Sequence, residues 1–431
     1  MNARSCAAAL AAACLTLVLS VAASAGAGSV RPSFGVAEDA TKFAADGGAA
    51  IYPSLTGSGM TENRWTVTFT GDPSTIPDQG FLDRAVPAAH AAGVDVILSL
   101  FPADAHAPDP AAFCEWAGNV AARYPTVTKL IIGNEVNATR FWSPQHTASD
   151  PNAGPDTYEA TLARCYDVLK AVNPAIEVIG MGLAPRAVSA SSTKPLDFIR
   201  LVGAAYRASG RTTPIMDALA VHPYPNPNSS PPPPPDRAGY EDPGFFGLPQ
   251  LDRVKQAVWD AFHGTAQPTT LNGLELFLDE VGYQSNETGK PQYTGTESSP
   301  SVSEQQQAVY YARIVQTTSC DPSIAAVLFF HLIDEQNLNV TPTSGGWQSG
   351  LEYPDRTPKP SYAAVAQAIA AGCTGRQVTW SPGHVSLFGQ KGGKPKGGKP
   401  KIGKPKPRIG KPKPKRPPHG HGRHRRKGRK R

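Results

Sequence analysis

The sequence predicts an α/β chain that closes into a (β/α)8 TIM barrel and ends in a disordered basic tail. Three observations carry this expectation: eight short apolar runs, helix-like segments between them, and a C-terminal stretch almost without apolar residues.

The runs are SFGVAE (33–38), RWTVTF (64–69), VDVILSL (94–100), KLIIGNE (129–135), IEVIGMGL (176–183), MDALAVHPY (216–224), LELFLDEVGY (274–283) and AAVLFFHLID (325–334). Near-continuous Val, Ile and Leu suit strands buried on both faces, as in a parallel sheet. Helix-like composition falls at 80–92, 110–123, 156–172, 195–208, 250–263, 303–319 and 360–372, while Gly47, Gly48 and Pro53 interrupt the piece at 40–58. Eight strands interleaved with helices point to a barrel. The open doubly wound alternative lacks a Gly-rich phosphate fingerprint after its first strand.

The two ends read differently. Residues 1–27 have the pattern of a secretory signal peptide: Arg4, an apolar stretch from about Ala7 to Val21, then small residues with cleavage expected after Ala25 or Ala27. That stretch is too short to span a bilayer, so the mature chain is expected to be secreted. Residues 28–380 form the expected folded domain and 381–431 the tail. From Lys391 to Arg431 there are 19 Lys or Arg and no Asp or Glu, spaced by Pro and Gly. No core can form from such a composition. The rest of the chain carries 23 basic residues against 35 acidic ones, a balance of −12, so the overall +7 describes the tail alone.

Four cysteines remain after processing: Cys114, Cys165, Cys320 and Cys373. Their spacing matches no zinc or thioredoxin motif, and an even number in an exported chain favours disulfides. Four cysteines allow three pairings. On the barrel assignment Cys114 and Cys165 fall on neighbouring helices, as do Cys320 and Cys373, so those pairs are expected. The long connection after HPYP (222–225) carries Pro231–Pro235, a stiff polyproline run that either shapes a cleft or is a tolerated insertion.

The active site of a parallel barrel gathers at the C-terminal strand ends. Strand four ends in Asn134 and Glu135, strand six in His222 and Tyr224, strand seven in Asp279 and Glu280, and strand eight near His331, Asp334 and Glu335. Two carboxylates facing each other across a barrel mouth are what retaining glycoside hydrolysis needs, one as acid and one as nucleophile. Compact metal-ligand spacing is missing, so no metal or other cofactor is called for.

GNE ending strand four and DE ending strand seven resemble the retaining glycoside hydrolases of clan A, the cellulase-like, family 5-like (β/α)8 superfamily. HPY on strand six and the closing GLEYPDRTPKPSYAAV (350–365) resemble it too. The resemblance covers residues 31–373. It implies Glu135 as acid/base and Glu280 as nucleophile, with Asn134 on the sugar 2-hydroxyl, Tyr224 orienting Glu280, and His222 beside it. It implies an O-glycosidic carbohydrate substrate and no cofactor. Where many members place a platform Trp after strand eight, this chain has Phe330 and His331, with Trp347 in the following loop. Arg64 falls at the start of its strand, away from the Arg that many members carry near the catalytic end. Trp142 and Trp347 are candidates for stacking on sugar faces, and His331 for the substrate subsite. Asn137-Ala138-Thr139 matches a glycosylation sequon beside the expected mouth, where a glycan would block it.

Two other functions fit the same residues: a carbohydrate-binding barrel without turnover, and a wall-associated adhesion protein held by its tail. A basic tail on a secreted monomer favours anionic cell-wall or surface polymers by counterion release, and without interleaved aromatics no specific nucleic acid is expected. Deleting residues 389–431 is expected to leave turnover of small glycosides intact while releasing the protein from anionic walls at low salt. Co-sedimentation with isolated walls checks this; equal retention of the full and truncated chains would refute it.

Overall fold

The computed structural model describes residues 32–187, 189–226, 241–341 and 345–383. The expected signal peptide, the Pro231–Pro235 run and the tail beyond residue 383 lie outside these described residues. The eight expected strands form one closed, all-parallel barrel in sequence order.

The order is β1 (Ser33–Ala37), α1 (Ala40–Phe43), α2 (Tyr52–Gly57), β2 (Glu62–Phe69), α3 (Gln79–Ala91), β3 (Asp95–Pro102), α4 (Pro110–Arg123), β4 (Lys129–Ile132), α5 (Ala153–Val172) and β5 (Glu177–Leu183). It continues with α6 (Pro195–Ser209), β6 (Ala218–Val221), α7 (Leu251–Phe262), β7 (Glu275–Val281), α8 (Glu304–Thr318), β8 (Ile324–Phe330) and α9 (Pro360–Ala371). The uncertain piece at 40–58 becomes two short helices, because Gly47 and Gly48 between them both take positive φ, +67° and +88°. Local chemistry sets other ends. Asp109 caps α4 by accepting from the Ala112 amide at 2.9 Å, with Pro110 at the first helical position. Ser303 caps α8, and Gly210 ends α6 in the left-handed conformation.

The barrel interior is filled by Ile97, Ile131, Ile179, Ala218, Ala220, Phe277, Ala326 and Leu328. The alanines on β6 and β8 flank Phe277 on β7 and leave room for its ring. A larger apolar layer packs the outer strand faces against the helices and includes Trp65, Trp116, Tyr158 and Phe198. Two strands are shorter than their apolar runs suggest. β4 stops at Ile132 and β6 at Val221, so the polar ends GNE and HPY leave the ladder and turn over the mouth.

Both expected disulfides form: Cys114–Cys165 joins α4 to α5, and Cys320–Cys373 joins the segments that follow α8 and α9. They fit a chain folded in an oxidising compartment. Among the described residues no helix is long and apolar enough to cross a membrane. The first disulfide closes a loop with a sequence separation of 51. On chain entropy, Cys114→Ala with Cys165→Ala should lower unfolding stability by about 4 kcal/mol. Urea denaturation of the double variant measures it, and an unchanged midpoint would refute it.

Candidate active site

The site begins where β4 leaves the sheet. Gly133 has φ +104°, and a Cβ there would lie 2.3 Å from the Val136 side chain, so only glycine makes this exit. Two residues on, Glu135 itself sits at φ +41°, a conformation that costs a non-glycine residue energy. Surrounding bonds hold it there. The Glu135 amide donates to Gly182 O at 2.6 Å, and the Tyr158 hydroxyl, from α5, donates to Ile132 O and accepts from the Met181 amide, both at 2.6 Å. The ends of β4 and β5 are thereby fixed to each other and to the helix behind them.

Glu135 and Glu280 meet through His222. His222 Nδ1 lies 3.3 Å from Glu135 Oε1 and 3.4 Å from Glu280 Oε2, and its Nε2 lies 3.3 Å from Asp279 Oδ2. The two glutamate oxygens are therefore no farther apart than about 6.7 Å, those two distances end to end. With both ring nitrogens beside carboxylate oxygens, the arrangement suits a doubly protonated imidazolium. Burial opposes that charge, but Glu280 and Asp279 outweigh it and raise the His222 pKa to about 10. His222 is fully buried and does not line the cavity. The substrate contact expected of it is thereby corrected: it bridges carboxylates beneath the site.

Arg64 is the second buried cation. It donates to Glu280 Oε1 at 2.8 Å, to Asn134 Oδ1 at 2.6 Å and to Ser99 Oγ at 3.1 Å, and it pairs with Asp279 at 3.2 Å. Its position at the start of β2 had argued against such a role. The barrel stagger overturns that, since Arg64 is in register with Ala37, the last residue of β1, and its long side chain covers the remaining distance. A lone Arg in an apolar strand was the available signal, because a buried guanidinium requires partners.

The other expected residues divide. Tyr224 donates to Glu280 Oε2 at 2.8 Å, and burial together with Glu280 pushes its phenol well above the ordinary range, so it stays a donor. Asn134 lines the cavity; Arg64 occupies its oxygen, leaving the amide nitrogen as the donor for a ligand. His331 and Trp347 also line the cavity, with Trp347 41% exposed and edge-on to Phe330 at 5.7 Å. Trp142 does not. It is fully buried, its Nε1 donates to Thr157 and its ring packs on Tyr158, so the stacking role expected of it is corrected to a core role. Asn137 is also buried, with its amide bonded to backbone atoms of Ala184 and Thr193, and cannot carry a glycan in the folded chain.

Sequence reasoning missed Arg140. It donates through Nε to Glu135 Oε2 at 3.1 Å, and its Nη2 contacts the same oxygen. Burial raises the Glu135 carboxyl, but His222 and then Arg140 overcome this and hold it at about 2. In the free chain Glu135 is therefore ionised, the reverse of the raised pKa that an acid role suggests. The cavity above these groups has a volume of about 670 Å3, within the range of small-molecule sites.

The His222 shift has a stability consequence. Its folded pKa of about 10 lies above the ordinary 6.5, so its contribution is fully present below about pH 6.5 and is lost as pH rises through about 10. For Glu135, depressed from 4.5 to about 2, the contribution is present above 4.5 and is lost as pH falls through about 2. A His222→Asn variant should lose the alkaline slope of stability between pH 6.5 and 10. Melting temperature against pH for both proteins checks this, and parallel curves would contradict it.

No protein-family model matches the chain, and no curated protein matches it. Solved structures match its fold. A family 39 glycoside hydrolase from the gut symbiont Bacteroides cellulosilyticus WH2 superposes with TM-score 0.55 at 18% identity, over 79% of this chain and 64% of that one. The chain thus spans less than two thirds of that protein's length. A GH5_18 from Streptomyces cattleya in complex with GlcNAc gives 0.53 at 17% identity, covering 79% and 80% of the two chains. A GH39 beta-xylosidase from Caulobacter crescentus gives 0.51 at 16%, covering 79% and 71%. At these identities the likeness is one of fold: the chain has the (β/α)8 barrel of these glycoside hydrolases.

Proposed function

We propose that the protein is a secreted retaining glycosidase acting on β-linked oligo- or polysaccharides by a two-glutamate double displacement. The observation that carries this reading is the pairing of Glu135 and Glu280 across one buried imidazolium, at the mouth of a barrel shared with glycoside hydrolases. Their bounded separation suits direct attack, for which about 5–5.5 Å is needed, better than the wider spacing that leaves room for a water.

In the first step a Glu280 oxygen attacks the anomeric carbon as the bond to the leaving oxygen breaks, and the Glu135 proton passes to that oxygen. Arg64 and Tyr224 each donate to one Glu280 oxygen, which keeps the nucleophile aimed. In the second step water attacks the glycosyl ester, its proton goes to Glu135, and Glu280 leaves. Asn134 donates to the sugar 2-hydroxyl, a bond that strengthens as positive charge develops on the ring. Trp347 and Phe330 offer apolar faces to the sugar. The step requires Glu135 to hold a proton, so binding must relieve the contacts that keep it ionised. The basic tail would hold a monomeric enzyme on anionic wall polymers.

An aryl-glycoside panel tests the reading. Glu280→Gln should lower kcat/KM on the order of 10^4-fold or more. Glu135→Ala should cost roughly 10^2–10^4-fold, and less for leaving groups that need no proton. NMR of the first-formed product should show the substrate's anomeric configuration. Absence of turnover above the variants would favour a carbohydrate-binding barrel, and an inverted product would exclude the double displacement.

A further inference from the structure

The cavity is electrically lopsided. Glu38 and Asp39, following β1, line one wall, and Arg140 and Arg186, following β4 and β5, line the wall across the barrel. Arg140 is 60% exposed at its side chain, lies 4.8 Å over the Phe141 ring, and Phe141 packs edge-on against Phe101. Its guanidinium is thus supported on an aromatic face, and its ion pair is with Glu135. Arg186 contributes a second guanidinium, whose Nη1 is buried with no hydrogen-bond partner among the described residues.

This wall is the leaving-group side, because Glu135 must reach the leaving oxygen; the inference rests on the glycosidase reading in that respect. We propose that the leaving half of the substrate is an acidic sugar, bound by Arg140 and Arg186, and that Arg140 transfers from Glu135 to the sugar's anion as the substrate binds. Guanidinium groups match carboxylate and sulfate oxygens through paired N–H donors.

The charge count explains why the transfer serves the chemistry. Glu135, Glu280 and Asp279 are balanced by His222, Arg64 and Arg140. Once Arg140 pairs with the substrate's anion, Glu135 keeps His222 but loses its second cation, and its carboxyl shifts toward the protonated form. His222 and Tyr224 face Glu135 from the end of β6, Glu280 and Asp279 from β7 through the shared imidazole, Arg64 from β2 through Asn134, and Arg140 from its own loop. Arg140 is the exposed one of these cations, with Arg64 and His222 buried.

The test uses the full chain. A 4-nitrophenyl glycoside panel first identifies the glycone. Three disaccharides of that glycone are then compared, β-linked to glucose, to glucuronic acid and to glucose 6-sulfate. The wild type should prefer at least one acidic disaccharide by about tenfold or more in kcat/KM, and the larger preference identifies carboxylate or sulfate. Arg140→Gln and Arg186→Gln should each bring the acidic-to-neutral ratio toward one. Arg140→Gln should also move the alkaline limb of kcat/KM on neutral substrates to higher pH, because Glu135 then loses its proton later. Turnover of aryl glycosides with no acidic preference, or a preference unchanged in both variants, overturns this inference and leaves the glycosidase reading standing. No turnover of any aryl glycoside above Glu280→Gln overturns both.

Discussion

Three carboxylates meet at the mouth of this barrel, and two buried cations make their coexistence possible. Like charges this close repel unless opposite charges stand between them. Arg64 and His222 meet all three, Arg64 through Glu280 and Asp279, His222 through Glu135, Glu280 and Asp279. Removing one partner of such a set leaves an uncompensated buried charge, which is why these residues are coupled and not separable contributors. Where each strand ends follows from this requirement. β2 must deliver Arg64, β6 His222, β7 the Asp–Glu pair, and β4 must turn sharply enough to bring Glu135 over the imidazole.

The backbone meets that demand by local strain held in place from outside. Glu135 and Met181 both have positive φ, and Tyr158 joins the two strand ends that carry them. The far rim is held by another buried set. Lys359 Nζ donates to Asp334 Oδ2 and Ser285 Oγ at 2.7 Å each and pairs with Glu287, tying the loop after β7 to the loop after β8. These are the loops that carry Gln284, Trp347 and Ser349 to the cavity wall. Buried ion sets stand on both sides of the mouth, whereas Arg140, paired with Glu135, is itself exposed.

Much of the fold was legible because burial on both faces writes a simple pattern. Every one of the eight apolar runs became a strand, and seven helix-like segments became helices within a few residues. Helix adjacency in the barrel also sufficed to pair the cysteines. The two glutamates were legible for a related reason: an apolar strand that ends in a carboxylate has somewhere specific to put it. Side-chain environment was not legible. Trp142 and Trp347 both sit in loops after strands, yet one is sealed against Tyr158 and the other opens to the cavity.

The sequence by itself determined the strand count, the parallel order and which strands end in acid, since these depend on hydrophobic period and local chain stiffness. Only the tertiary structure decided the electrostatics. Barrel stagger raised Arg64 from a strand's start into the site, and the convergence of four strands turned His222 from an expected sugar contact into a cation beneath it. His222 beneath it, and then Arg140 returning on the β4 loop, hold the Glu135 carboxyl low. Such charges depend on distances of a few ångströms between residues far apart in the chain, and no spacing along the sequence records them.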